Sequence, residues 1–103
     1  MHLVHKIADL RNKLEIHRIA KESIGFVPTM GNLHEGHSHL IQNAVKENDR
    51  TVISIFINPL QFSPSEDFEN YPRTLEADEE RLRSSDCDYL FVPPQDEMLR
   101  GTL

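Results

Sequence analysis

The 103-residue chain predicts an α/β fold, a Rossmann-like parallel sheet of about three strands with flanking helices, and three observations carry that expectation. Short β-branched, apolar segments alternate with stretches of helical periodicity. Each apolar segment stops at or beside a proline. The middle segment is apolar on both faces, as a parallel strand covered by helices on either side must be. Right-handed crossovers would connect such strands.

The elements follow in order. From Val4 to about Glu22 the apolar positions Val4, Ile7, Leu10, Leu14 and Ile19 mostly fall three or four apart with Lys and Arg between them, which predicts an amphipathic helix. Ser23-Ile24-Gly25 interrupts that period, and Ile24 to Pro28 reads as a buried strand stopped by its proline. Thr29 to Gly36 is rich in glycine and turn-forming residues and is expected to be a loop. From His37, Leu40, Ile41, Ala44 and Val45 face one way while Gln42, Asn43, Lys46 and Glu47 face the other, giving a second helix ending near Asn48-Asp49.

Thr51 to Ile57 is the second strand, stopped by Asn58-Pro59. After a polar stretch, Thr74 is placed to cap a third helix, with Glu76, Asp78, Glu79 and Glu80 early and Arg81 and Arg83 late, matching the helix dipole. The acidic run Asp78-Glu79-Glu80 reads as a solvated helix face. Asp88 to Val92, closed by Pro93-Pro94, is the third strand. Three strands make a narrow sheet with unpaired edges, so more chain or a partner is expected to complete it.

The length fits one domain, residues 1–103. Eleven Lys+Arg against seventeen Asp+Glu give a net charge of −6, which disfavours nucleic-acid backbones and anionic membranes as partners. A small phosphate ligand stays possible, because local backbone N–H groups, histidines and a divalent ion outvote the global charge at short range. Cys87 stands alone, which excludes an intramolecular disulfide and any multi-cysteine metal site and suits a reducing compartment. The N-terminal residues lack a signal-peptide pattern and the longest apolar run, Val52–Ile57, is too short for a bilayer, so a cytoplasmic protein is expected.

Open parallel sheets bind ligands beyond the carboxyl ends of their strands, and the loops Thr29–Gly36 and Asn58–Phe62 leave from two such ends. Gly31 and Gly36 let a ligand approach the backbone, while His34 and His37 set two imidazole donors beside a helix N-terminus. That combination suits a nucleoside triphosphate undergoing in-line displacement. His34-Glu35-Gly36-His37 alone is a short pattern, and the competing interpretation is that both rings merely solvate a helix start. Placement after a strand and before a helix favours the phosphate site. A metal site of His34, His37 and His39 competes less well, because the His-Glu-x-x-His spacing is absent and no cysteine ligand is nearby, so no metal ligands are assigned.

Three blocks then carry a family resemblance. Pro28 to His37, Ser54 to Phe62 and Tyr71 to Leu75 resemble, in that order, the N-terminal part of the pantoate–β-alanine ligase (pantothenate synthetase) family, whose fold is of the HxGH nucleotidyltransferase type. The resemblance runs from the first helix to about Met98, beyond which Leu99 and Arg100 stand where the family usually has Tyr-Pro. It implies a two-step ligation in coenzyme A biosynthesis. ATP and (R)-pantoate give pantoyl adenylate and pyrophosphate, and β-alanine then gives pantothenate and AMP, with Mg²⁺ assisting and a homodimer as the assembly.

The resemblance also implies site residues. Met30, Gly31, Asn32, Leu33, His34, Glu35, Gly36 and His37 match the ATP-binding loop, with His37 as proton donor and His34 as its companion. Gln61 matches the side chain binding pantoate and then β-alanine, and Asn58 lies in the same block. A neutral amide suits that role, since it contacts hydroxyl groups without repelling a carboxylate substrate. The family's later lysine-bearing and Ser-Ser-Arg motifs and its C-terminal domain have no counterpart in these residues, so they are expected to have little or no ligase activity alone. Two alternatives stand beside this expectation: another HxGH nucleotidyltransferase acting on a phosphorylated acceptor, and a non-catalytic nucleotide-binding or dimerisation module.

Overall fold

The structure, a computed structural model, describes residues 1–57 and 74–94. Its elements are β1 (His2–Val4), α1 (Ile7–Ile19), β2 (Ile24–Thr29), α2 (Glu35–Glu47), β3 (Arg50–Ile55), α3 (Leu75–Arg83) and β4 (Tyr89–Phe91). The strands form one parallel sheet in the order β1-β4-β3-β2, with Ile53 opposite Leu90, Val27 opposite Ile53, and Leu3 opposite Leu90. The α/β parallel architecture is as the sequence predicts, with four strands in place of about three.

The extra strand is the first correction. Residues 2–4 do not begin the helix; they pair with β4, His2 N–H donating to Asp88 O (2.9 Å) and Val92 N–H to Val4 O (2.8 Å). Val4 is buried with Leu10, Leu14, Val52, Tyr89 and Phe91, and its three-residue spacing from Ile7 imitates a helical period although the chain turns between them. The same helix exposes Ile19 (74%), which lies off the buried Leu10–Leu14 stripe. On α2, which starts at Glu35, Ile41 is buried while Leu40 faces solvent.

Pro28 does not stop β2, which runs on to Thr29. Ser23 and Thr29 both turn their carbonyls to β3, accepting from Arg50 N–H (2.9 Å) and Phe56 N–H (3.0 Å). Alternation therefore points Pro28 at the open edge, where its missing N–H costs the ladder nothing. β3 ends at Ile55, leaving Phe56 and Ile57 half-buried past the last paired residue.

Period-two alternation divides the core between the faces. Val52, Tyr89 and Phe91 point to α1, whereas Ile53, Ile55 and Leu90 join Val27, Leu33, Ile41 and Leu82 on the side of α2 and α3. The buried β3, closed on both faces, thus fixes the height at which the loops leave the sheet. Among the described residues no helix is long and apolar enough to cross a membrane.

Candidate functional site

The loop after β2 begins with a clasp to the neighbouring strand. Thr29 Oγ1 donates to Ser54 O (2.9 Å) and accepts from Gly31 N–H (3.2 Å), so the chain leaves β2 held against the end of β3. It then reverses through two consecutive left-handed residues, Gly31 (φ 81°) and Asn32 (φ 53°). Glycine is needed at the first, where a Cβ would stand 3.2 Å from both Asp78 Oδ2 and Ile55 Cγ2. Asparagine is among the few other residues that tolerate the second.

Asp78 closes this turn from α3. Its carboxylate accepts from Asn32 N–H (3.0 Å) and Leu33 N–H (2.9 Å), and Thr74 Oγ1 donates to the same group (3.0 Å). Asp78 is only 3% exposed, so the expectation of a solvated acidic face fails at this residue while Glu80 remains exposed. Thr74 does stand at the N-cap of α3, but its hydroxyl serves the carboxylate and not a helix N–H. The missed clue lies in helical spacing: Asp78 precedes the buried Leu82 by four residues and so shares its inward face.

With Leu33 buried in the core, the chain presents His34 at the N-cap of α2 in extended conformation. The two histidines then cap the helix reciprocally. His34 Nδ1 accepts from Gly36 N–H (3.1 Å), and His37 Nδ1 accepts from His34 N–H (3.2 Å). The rings lie 4.3 Å apart between centroids, tilted by 59°. Because a backbone N–H can only donate, each Nδ1 is the acceptor and each neutral ring carries its proton on Nε2. Neither Nε2 is bonded to a described residue, and both rings head a helix whose N-terminus favours negative charge.

Burial pushes the His37 imidazole below its ordinary range, with His34 and Arg81 adding to the shift and Asp78 opposing it. A neutral His37 keeps the Nδ1 lone pair that the cap requires. His34 is exposed and His37 half-buried; a cleft lined by Asn32, Leu33, Thr74, Asp78 and Arg81 involves the turn before them, and neither imidazole lines it.

The backbone N–H groups of residues 31–34 and 36–38 are bonded within the chain. Gly36 has a different reason for its size: a Cβ there would meet His34 Cε1 at 2.9 Å, so glycine makes room for the folded imidazole. The site therefore offers side-chain donors. Of its residues, Met30 and Glu35 flank the turn, and Gly31, Asn32, Leu33, His34, Gly36 and His37 form its bonded frame. Asn58 and Gln61 lie outside the described residues, as do Leu99 and Arg100.

Among the described residues no group of three or more His, Cys, Asp and Glu side chains is placed to hold a metal ion, so His34, His37 and His39 do not converge. Asp78, the carboxylate that α3 brings to the loop, is already committed through both oxygens.

An open parallel sheet with a His-x-Gly-His turn heading a helix at its carboxyl edge defines the nucleotidyltransferase-type α/β class. Within it, the chain belongs to the pantoate-beta-alanine ligase family, which matches residues 2–102. It is 51% identical over 98 residues to the pantothenate synthetase of Marinomonas sp. (strain MWYL1), covering 95% of this chain and 35% of that protein. The pantothenate synthetase of Thermosipho africanus (strain TCF52B) is 50% identical over the same shares.

Among solved structures, the pantothenate synthetase of Thermus thermophilus superposes with a TM-score of 0.86 at 47% identity, covering 95% of this chain and 34% of that one. The Francisella tularensis pantoate-beta-alanine ligase, complexed with beta-gamma ATP and beta-alanine, gives 0.85 at 42% identity, covering 97% and 38%. The chain spans about a third of the length of the curated relatives it matches.

Proposed function

We propose that these residues supply the ATP-facing part of a pantoate–β-alanine ligase, which joins (R)-pantoate to β-alanine through pantoyl adenylate and releases pyrophosphate and AMP. The observation that carries the proposal is the reciprocal imidazole cap, which commits both Nδ1 atoms to the backbone and leaves two Nε2–H donors at the head of α2. Family membership names the reaction, and the cap supplies its chemistry.

In the first step the pantoate carboxylate attacks the α-phosphorus of ATP and the bond to the bridging oxygen of pyrophosphate breaks. Negative charge grows on that oxygen and on the phosphoryl group. Two preorganised N–H donors, backed by the dipole of α2, stabilise the charge without a covalent enzyme intermediate. His37 is assigned as the proton donor to the departing pyrophosphate, and His34 holds the other phosphate oxygens. Low His37 basicity suits hydrogen-bond donation, in which the neutral ring keeps its Nε2 proton and its Nδ1 cap; passing the proton on to pyrophosphate requires the imidazolium, which gives up that cap.

Gln61 and Asn58 are assigned to pantoate and then β-alanine, on the resemblance of their block. Mg²⁺ is assigned to the substrate, where it would offset the triphosphate charge; the described residues provide no dedicated cage for it. A cytoplasmic location and a homodimer complete the proposal, the latter supported by the open edge of β2 and by Phe26, 54% exposed on that strand. The 103 residues alone are proposed to carry little or no ligase activity, since two thirds of the relatives' length lies beyond the match.

The test is pantoate-dependent ATP–pyrophosphate exchange, measured on a chimera joining residues 1–98 to the remaining part of the Marinomonas relative. Exchange is expected, with His37→Ala lowering it by about 10²-fold or more. A chimera that folds and binds ATP but shows exchange indifferent to His37→Ala defeats the assignment of the imidazoles. Nucleotide binding with no response to pantoate supports a non-catalytic binding module instead.

A further inference from the structure

We propose that Asp78, on α3, is a positioning residue for the two histidines: by holding the amides of Asn32 and Leu33 it sets where α2 begins and so where both imidazoles aim. The proposal rests on the nucleotide-site reading above and adds to it a carboxylate that touches neither ring. Its basis is geometric. A carboxylate that is 3% exposed spends both oxygens on two successive loop N–H groups, 2.9 and 3.0 Å away, from a helix remote in sequence. The Thr74 hydroxyl, one turn earlier on the same helix, steadies the carboxylate (3.0 Å).

The place of those amides in the chain gives the bonds their consequence. Asn32 holds a left-handed conformation, which asparagine tolerates better than other side-chain-bearing residues and which its bond to Asp78 fixes here. Leu33 follows with its side chain in the core, and His34 is the next residue, already the N-cap. No residue intervenes to absorb a shift. If the turn relaxes, the His34 N–H leaves His37 Nδ1, the Gly36 N–H leaves His34 Nδ1, and the rule that fixes each ring's proton on Nε2 is lost. Asp78 faces the turn opposite Ile55 across Gly31, so the loop is clamped between α3 and the end of β3.

The test uses the 103-residue chain, ¹⁵N-labelled, with Asp78→Asn. An asparagine keeps one acceptor and turns an NH₂ group toward the second loop amide. The wild type is expected to show Asn32 and Leu33 amides slow to exchange, and His34 and His37 ring nitrogens with Nε2-protonated shifts. In Asp78→Asn both amides should exchange at least about tenfold faster and the ring shifts should move toward a mixture of tautomers. Affinity for ATP with Mg²⁺, read from shift changes on titration, should fall about tenfold.

Leu14→Ala, on the opposite face of the sheet, is the control for a merely structural role: it lowers stability and should leave ring shifts and ATP affinity in place. Should Asp78→Asn not fold, Thr74→Val removes the steadying hydroxyl and should move the same signals in the same direction by less. Ring and amide signals unchanged in whichever variant folds overturn the proposal. A wild type that ignores ATP overturns the nucleotide reading instead, and the ring shifts then still decide whether Asp78 positions the histidines.

Discussion

At the amino ends of the strands a network of charged and polar groups ties α1 to β3 and β4. His17 on α1 meets Tyr89 through Nε2 (2.7 Å) and Glu22 through Nδ1 (2.8 Å); Glu22 pairs with Arg50 (3.1 Å), which reaches Asp88 (3.4 Å). Asp88 accepts from Thr51 N–H (2.8 Å) and Asp49 from Ser23 N–H (2.8 Å). At the carboxyl ends Asp78 likewise gathers backbone amides, and a histidine pair stands nearby, but each of those rings uses one nitrogen and bonds no described residue through the other. The same residue types give opposite outcomes. A carboxylate and an imidazole brace a fold where both ring nitrogens are satisfied, and make a site where the backbone takes only one.

That contrast can be broken in three ways, and the largest effect is expected from Gly31→Ala. The substitution places a Cβ at a φ of 81°, 3.2 Å from Asp78 Oδ2 and Ile55 Cγ2. A loss of about 1–3 kcal/mol in urea unfolding is expected, with weakened ATP binding, because strain enters the clamp directly. Stability and affinity both at wild-type values would show that the turn is not held as described.

The second effect separates the two ends by pH. His37 is held below its ordinary value of 6.5, so the folded state disfavours its proton and the contribution is fully present above pH 6.5 and lost as pH falls below it. Glu22, lowered from 4.5 by His17 and then by Arg50, contributes above pH 4.5 and loses that contribution only below it. The urea midpoint of the wild type minus that of His37→Gln should therefore shrink between pH 7.5 and 5. His34, Arg81 and Asp78 are the charged or titratable groups acting on His37 in that window. A difference that is flat with pH removes His37 from the balance.

The smallest effect is expected from Glu22→Gln. The carboxylate is partly exposed and joins groups that water serves almost as well, so a slight fall in melting temperature and unchanged ATP affinity are expected. A clear loss of ATP affinity would mean that the two ends of the sheet are coupled.

Much of this was legible in the sequence where periodicity is long or composition extreme. The strands around Val27, Ile53 and Leu90 follow from short apolar runs, α1 and α2 from apolar spacing, α3 from Thr74 and the order of its charges, and the His34–His37 turn from glycine and histidine placed between a strand and a helix. β1 escaped because three residues are too short to show alternation and Val4 falls in phase with Ile7. Pro28 misled because its effect depends on which side of the strand it faces, a property of the sheet and not of the segment. Asp78 was hidden among acidic neighbours, although its position one turn before Leu82 placed it inward. The inward commitment of the loop amides had no sequence signal, since it depends on α3 arriving from more than forty residues away.

Pro28 has one more effect. Along the side of β2 that no described strand pairs, only Ile24 and Phe26 can donate, so an incoming strand finds donors over the first half of that border and only the Pro28 carbonyl beside the turn. Edge-to-edge association is thereby discouraged beside the turn that carries His34 and His37, and a single pyrrolidine ring acts as a gatekeeper there.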